Sequence, residues 1–180
     1  MKLLEQKGLL NIIITQNIDG LELEAGINQD KVVGAHGNLK EAHCPKCNKD
    51  VDIKVMDKHI QEGKVFFCSH CKDVPCKYKV VFYGEQLPKQ FFNSIDKLKD
   101  SDLVFIMGTS LRVKPFSELP YYVDKTCVRA LINKEEVGIF KFDEINSRDV
   151  FIESFTDDAV NKIVEYCGWK VTLFSLFNYY

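Results

Sequence analysis

Hydrophobic residues along this chain fall in short, largely β-branched runs, and each run stops at an amide, a hydroxyl, a histidine or a glycine. Leu9 to Ile14 reads as a continuous strand of the kind buried on both faces of a parallel sheet, and it gives way to Gln16-Asn17-Ile18-Asp19-Gly20. Val32-Val33 stops at Gly34-Ala35-His36-Gly37. Val80 to Tyr83 predicts a short strand stopped by Gly84-Glu85, and Asp102 to Met107 a clear parallel strand ending in Gly108-Thr109-Ser110. Val128 to Ile132 predicts another strand, followed by Asn133, and Val150 to Ile152 a last one. Helical spacing falls between them: Met1 to Lys7, a turn at Leu21 to Ala25 ended by Gly26, and Pro88 to about Lys99. In that last helix Phe91, Phe92, Ile95 and Leu98 form one apolar face, read as core. Pro115 to Val123 predicts a short helix, and Thr156 caps a helix running to Tyr166, with Asp157 and Asp158 suited to the positive end of its dipole.

This alternation predicts an α/β fold with a doubly wound parallel sheet. In such a sheet the carboxyl ends of the strands share one edge, so the polar clusters at Gln16–Asp19, Gly108–Ser110 and Asn133 can converge on one elongated ligand. Taken singly, each cluster also reads as ordinary turn chemistry, and His36 as a structural histidine.

Between two such strands lies a different signal. Cys44-Pro45-Lys46-Cys47 and Cys68-Ser69-His70-Cys71 are two Cys-x2-Cys knuckles twenty residues apart, the arrangement that lets four thiolates close a tetrahedral zinc site. Four sulfur ligands leave no open position, so this zinc is expected to be structural. His43, His70 and Cys76 break the paired spacing and are read as bystanders. The lysines of this stretch lack an accompanying arginine or aromatic pattern and read as a solvated face.

Composition narrows the class. At 180 residues with 46% hydrophobic content, the chain suits one domain carrying a small insertion. A net charge of -2 argues against a dedicated nucleic-acid binder. No apolar run approaches the ~20 residues of a membrane helix, and the charged start Met-Lys-Leu-Leu-Glu-Gln-Lys does not read as a secretory signal. Seven cysteines, four of them in knuckles, favour metal-bound thiolates in a reducing compartment. The expected residence is intracellular, in the nucleus, the cytoplasm or both.

Read together, Thr15-Gln16-Asn17-Ile18-Asp19-Gly20-Leu21, Ala25-Gly26-Ile27 and His36-Gly37 resemble the catalytic core of the sirtuins (Sir2 family), class I-like NAD-dependent protein deacylases. Phe82-Tyr83-Gly84-Glu85-x-Leu87-Pro88, Gly108-Thr109-Ser110-Leu111-x-Val113-x-Pro115-Phe116 and Leu131-Ile132-Asn133-Lys134-Glu135 extend the resemblance in order, with the cysteine pairs between, from about Leu3 to Trp169. The resemblance implies a Rossmann-type sheet in two parts, residues 1–43 and 80–180, with a zinc-binding module at 44–79. It implies that His36 is the general base activating a ribose hydroxyl, an accepting role suited to imidazole. Asn17 and Asp19 would line the nicotinamide pocket, with Gln16 on the ribose and Ile18 beside them. Gly108, Thr109, Ser110, Asn133, Lys134, Glu135 and Thr156 would hold the adenosine half. An acyl-lysine peptide would lie as a strand between Phe82–Leu87 (Phe82, Tyr83, Gly84, Glu85) and Leu111–Lys114 (Val113), since backbone pairing gives affinity with loose sequence specificity. Its partners would be acylated lysine proteins such as histones; no nucleic-acid or membrane partner is implied.

Several positions depart from the family pattern: Tyr78-Lys79 replaces Pro-Asp, and Gly34 replaces an acid. The family's opening Gly-Ala-Gly-x-Ser loop and Pro-Asp-Phe-Arg segment, which cradle the NAD phosphates, find no match. The expectation is therefore a sheet incomplete at its front, an amino-terminally truncated sirtuin binding NAD poorly. The competing expectation is a catalytically inactive, zinc-stabilised interaction protein of sirtuin type.

Overall fold

The computed structural model describes residues 1–170 and Thr172. In chain order the elements are α1 (Lys2–Gln6), β1 (Ile13–Thr15), α2 (Leu21–Glu24), β2 (Val32–Gly34), β3 (Gly37–His43), β4 (Asp50–Val51), α3 (Ile53–Gln61), β5 (Lys77–Val80), α4 (Lys89–Lys99), β6 (Leu103–Met107), β7 (Val128–Asn133), β8 (Asp149–Glu153) and α5 (Thr156–Tyr166). Short 3-10 turns cover Gln29–Lys31 and Phe116–Tyr121. Two compact units result: Ile12–Phe92, and residues 1–11 together with those from Asn93 onward. This grouping is by contacts, whereas the division at 43 and 79 follows motif spacing.

In the unit Ile12–Phe92, β1 and β2 pair in parallel, Ile13 with Val32 through Thr15 with Gly34. β3 pairs antiparallel with β4 on one side and β5 on the other, with a register shift between Gly37 and Ala42. α3 starts where the Asp52 carboxylate accepts the Lys54 N–H at 2.9 Å, a side-chain cap, and it buries Met56. The predicted strand Leu9–Ile14 is shorter and shifted to Ile13–Thr15; its residues are only half-buried, and Leu9 is exposed. The predicted strand Val80–Tyr83 likewise moves back to Lys77–Val80. Its continuation is diverted because the Phe82 N–H is taken by the Glu85 carboxylate at 2.9 Å and Gly84 turns at φ +89°.

In the other unit, β6, β7 and β8 form a parallel sheet with β7 in the centre. A central strand of a parallel sheet is covered on both faces, and Arg129, Ala130, Leu131 and Ile132 are all buried. Parallel pairing is thus present as expected, but as two ladders, one per unit. α5 also differs in detail: Phe155 is its N-cap and Thr156 its first residue, with no side chain capping the helix. On α4 the apolar face is narrower than the spacing suggested. Phe91 and Leu98 are buried with Ser94 between them, while Phe92 is exposed, its ring meeting that of Phe91 edge-on at 5.4 Å.

The interior of this unit contains a charged pair. Arg129 meets Asp149 in a fork, Nε to Oδ1 and NH2 to Oδ2, both at 2.7 Å. Arg129 NH1 also donates to the Pro120 carbonyl at 3.1 Å, and the Lys141 N–H donates to Asp149 Oδ2 at 2.8 Å. The guanidinium lies 4.8 Å from the Phe140 ring centre, and Phe140, Phe142 and Phe151 continue as a row of stacked and tilted rings. Burial opposes the charge on Asp149, yet the Arg129 bonds and the Lys141 N–H outweigh it and hold the carboxyl below its usual range.

Among the described residues no helix is long and apolar enough to cross a membrane. Of the aromatic stretch from Trp169, Trp169, Lys170 and Thr172 are described; Lys7 Nζ lies 4.6 Å from the Trp169 ring centre. The rest of that stretch falls outside the described residues.

Candidate active site and metal centre

The β1–β2 ladder sets up the first cluster. The Ala35 N–H continues the pairing to the Thr15 carbonyl at 2.8 Å, so Gln16 and His36 leave the ladder at its carboxyl edge. The amide-rich turn is then fastened locally. Asn17 N–H donates to Thr15 Oγ1 at 3.1 Å, the Asp19 carboxylate accepts the Leu21 N–H at 3.1 Å, and the Ile18 carbonyl accepts the Leu39 N–H at 3.0 Å. Gly20, at φ +74°, starts α2 in the left-handed region where glycine is favoured. Asn17 and Asp19 are exposed, whereas Gln16, Ile18 and His36 are half-buried.

His36 is held from its other side. Its carbonyl accepts the Val81 N–H at 2.9 Å, just beyond the Gly37–Val80 pair of β3 and β5. Gly37 is obligatory here: φ is +78°, and a Cβ would sit 1.8 Å from the Lys79 carbonyl oxygen. Val80 and Val81 therefore connect the histidine to Phe82–Glu85. That loop is pinned by Lys77, whose Nζ bonds Glu85 at 2.7 Å and lies 4.0 Å from the Phe82 ring centre. The Lys77 contact, helped by the Phe82 N–H, lowers the pKa of Glu85. Phe82 is exposed and Tyr83 is 99% exposed, an aromatic surface open to a partner.

The second cluster lies at the carboxyl edge of β6–β7–β8. Gly108 leaves β6 at φ +57°, and a Cβ there would lie 3.8 Å from Thr156 Oγ1. Thr109 Oγ1 accepts the Leu111 N–H at 3.1 Å. Asn133 Nδ2 donates to the Thr109 carbonyl at 3.3 Å and to the Glu135 carbonyl at 3.0 Å. Thr109, Asn133 and Thr156 are half-buried; Gly108, Ser110, Lys134 and Glu135 are exposed. Val113 is exposed beside an open cleft of about 510 Å³ walled by Leu111, Arg112, Tyr121, Tyr122 and Ile139. Motif spacing overlooked two further features: Phe155, which meets Lys134, and the Arg129–Asp149 fork. A single charge within an otherwise apolar strand was the available signal for Arg129.

The four cysteines converge. The sulfur atoms of Cys44, Cys47, Cys68 and Cys71 all lie within 4.8 Å of one another, and Cys47 and Cys68 are 3.7 Å apart. Tetrahedral zinc with Zn–S of ~2.3 Å requires sulfurs about 3.8 Å apart, so the donor set fits. Both knuckles have the same turn. Asn48 N–H reaches the Cys44 carbonyl at 2.9 Å, Lys72 N–H reaches that of Cys68 at 2.8 Å, and both residues have φ +57°. The Cys71 N–H, foremost, with that of His70, brings the Cys68 thiol down to about 6. Burial and the neighbouring sulfurs push Cys71 up to about 12, a repulsion that a divalent cation removes. Cys76, a bystander by spacing, stays outside the four-sulfur group; burial, and after it the charge of the neighbouring Cys68 and Cys44 sulfurs, pushes its thiol up.

Residues 1–115 match a family model described as Sir2 family. The chain belongs to the Sir2 family. It is 36% identical to the NAD-dependent protein deacetylase HST2 of Candida albicans, over 92% of this chain and 54% of that protein. It is 41% identical to the NAD-dependent protein deacetylase SIR2rp1 of Trypanosoma brucei brucei, over 79% of this chain and 41% of the other. With sirtuin-2 of Danio rerio, also named an NAD-dependent protein deacetylase, identity is 36% over 96% and 50%. A solved structure described as Sir2-p53 peptide-NAD+ superposes with a TM-score of 0.79 at 30% identity, covering 92% of this chain and 67% of that one. The chain spans about half the length of the curated relatives it matches.

Proposed function

We propose that this chain carries the catalytic histidine, the adenosine-binding edge and the metal module of an NAD-dependent protein lysine deacylase. In that reaction nicotinamide is released and the acyl group of an acyl-lysine passes to ADP-ribose. The observation that carries the reading is the register of β1 with β2, which sends Gln16–Asp19 and His36 off the same edge of one parallel ladder. There His36 accepts the proton of a ribose hydroxyl, Asn17 and Asp19 present amide and carboxylate to the nicotinamide, and Gln16 and Ile18 flank the ribose. Gly108, Thr109, Ser110, Asn133, Lys134, Glu135 and Thr156 bind the adenosine half. Phe82, Tyr83, Gly84 and Glu85, with Val113, receive the acyl-lysine peptide as an added strand. Zinc on Cys44, Cys47, Cys68 and Cys71 holds the module and takes no part in the chemistry.

Nuclear or cytoplasmic proteins acylated on lysine, histones among them, are the proposed substrates; reduced, metal-binding cysteines suit those compartments. The test is nicotinamide release from NAD in the presence of an acetyl-lysine peptide, compared between the native chain and His36→Ala. Release that depends on the peptide and disappears in the variant is expected. Release unchanged in His36→Ala would overturn the assignment. A folded, zinc-loaded chain giving no release at all would favour the inactive interaction protein.

A further inference from the structure

Phe155 stands at the carboxyl end of β8, as the N-cap of α5, and it is 61% exposed. An exposed phenylalanine is unremarkable alone, but this ring is held in place. Lys134 Nζ lies 3.4 Å from the ring centre, a close cation–π contact. Lys134 is itself positioned, because the neighbouring Asn133 amide ties the Thr109 and Glu135 carbonyls together. The cation thus covers one side of the ring, and the exposure leaves ring surface open toward solvent.

The charge around this platform selects among ligands. Asp157 and Asp158 fill the first turn of α5, so that helix end repels an anion instead of cradling a phosphate. Glu135, Glu136 and Glu153 add negative charge from the ends of β7 and β8. A flat, uncharged heteroaromatic ring is the ligand that suits an aromatic platform within an acidic rim, since every base offers a π-face for stacking. Gly108 has no side chain to stand between the end of β6 and Thr156, whose Oγ1 would lie 3.8 Å from a Cβ there, so backbone at this edge stays accessible to the sugar that follows.

We propose that Phe155 is the stacking surface for the adenine ring, with Lys134 bracing it from behind. This inference rests on the NAD reading above and adds a binding residue to it. The test is calorimetric titration of the zinc-loaded 180-residue chain with AMP, ADP-ribose and nicotinamide mononucleotide, followed by the same titrations on Phe155→Ala. AMP and ADP-ribose are expected to bind the variant about tenfold more weakly, the scale of one lost base–aromatic contact. Nicotinamide mononucleotide, which has no adenine, is expected to bind both proteins alike. Phe155→Tyr should restore AMP affinity, and Phe155→Trp should add a tryptophan emission that AMP quenches, read against Trp169, the single native tryptophan. Equal AMP affinity in Phe155→Ala and the native chain overturns the stacking role and leaves the NAD reading standing. Failure of the native chain to bind either adenine nucleotide, with zinc bound and secondary structure intact, overturns both.

Discussion

At the scale of single residues, Gly37 is the tightest constraint on the candidate site. With a Cβ position 1.8 Å from the Lys79 carbonyl and φ at +78°, Gly37→Ala must displace backbone on β3 or β5. The expected loss is about 3 kcal/mol of stability, read as a shift in the urea midpoint. The same displacement moves His36, whose carbonyl is bound one residue along the same ladder, so nicotinamide release should fall with it. Asp149 is a different kind of constraint. Asp149→Asn leaves the Arg129 charge buried without its partner, at an expected cost of about 3–5 kcal/mol. Because the folded pKa of Asp149 is below the ordinary 3.8, its contribution is complete above that value and is lost as pH falls through the folded value. Denaturant midpoints measured from pH 5 down to pH 2 should therefore fall less steeply in Asp149→Asn than in the native chain. Parallel slopes would contradict the assignment of that carboxylate. Neither constraint could be read in advance: a glycine after a histidine says nothing of the carbonyl opposite, and the partner of a strand arginine lies twenty residues away.

At the scale of elements, the cysteine module is where pattern and geometry agree best, because two residues between ligands leave few ways to turn. The matching φ values at Asn48 and Lys72 are the same loop built twice. Zinc at such sites supplies on the order of 10 kcal/mol of folding free energy. Chelation is therefore expected to unpair β3 from β4 and β5, seen as a loss of strand signal in circular dichroism that returns when zinc is restored. A signal indifferent to chelator would mean the cysteines hold no structural metal. Elements whose ends depend on a single competing bond were less legible. The strand predicted to run to Tyr83 ends at Val80 because the Glu85 carboxylate takes the Phe82 N–H, and the helix predicted to be capped by Thr156 has its N-cap one residue earlier, at Phe155, whose side chain makes no capping bond. On α4, spacing could not tell that Ser94 is buried and Phe92 exposed, since both positions are compatible with an amphipathic helix.

For the molecule as a whole, β-branched runs with polar stops sufficed to recognise parallel strands, and their order identified the family. Periodicity within a strand carries no information about which strands share a ladder, so the division into a two-stranded and a three-stranded parallel sheet appears only in three dimensions. Each compact unit buries its own apolar residues, Met56 and Ala42 in one, Leu131 and Ile132 in the other. Amide hydrogen exchange in the presence of chelator should accordingly strip protection from β3 while Leu131 and Ile132 keep theirs; simultaneous loss in both would show a single cooperative unit. β3 itself has a last consequence. Its seven residues begin just after His36 and end just before Cys44, a length of strand of about 23 Å at ~3.3 Å per residue. Removing the metal at one end is expected to loosen the strand that starts beside the imidazole at the other, and the carbon-bound proton resonances of His36 should then shift on chelation; resonances unmoved by chelator would contradict this.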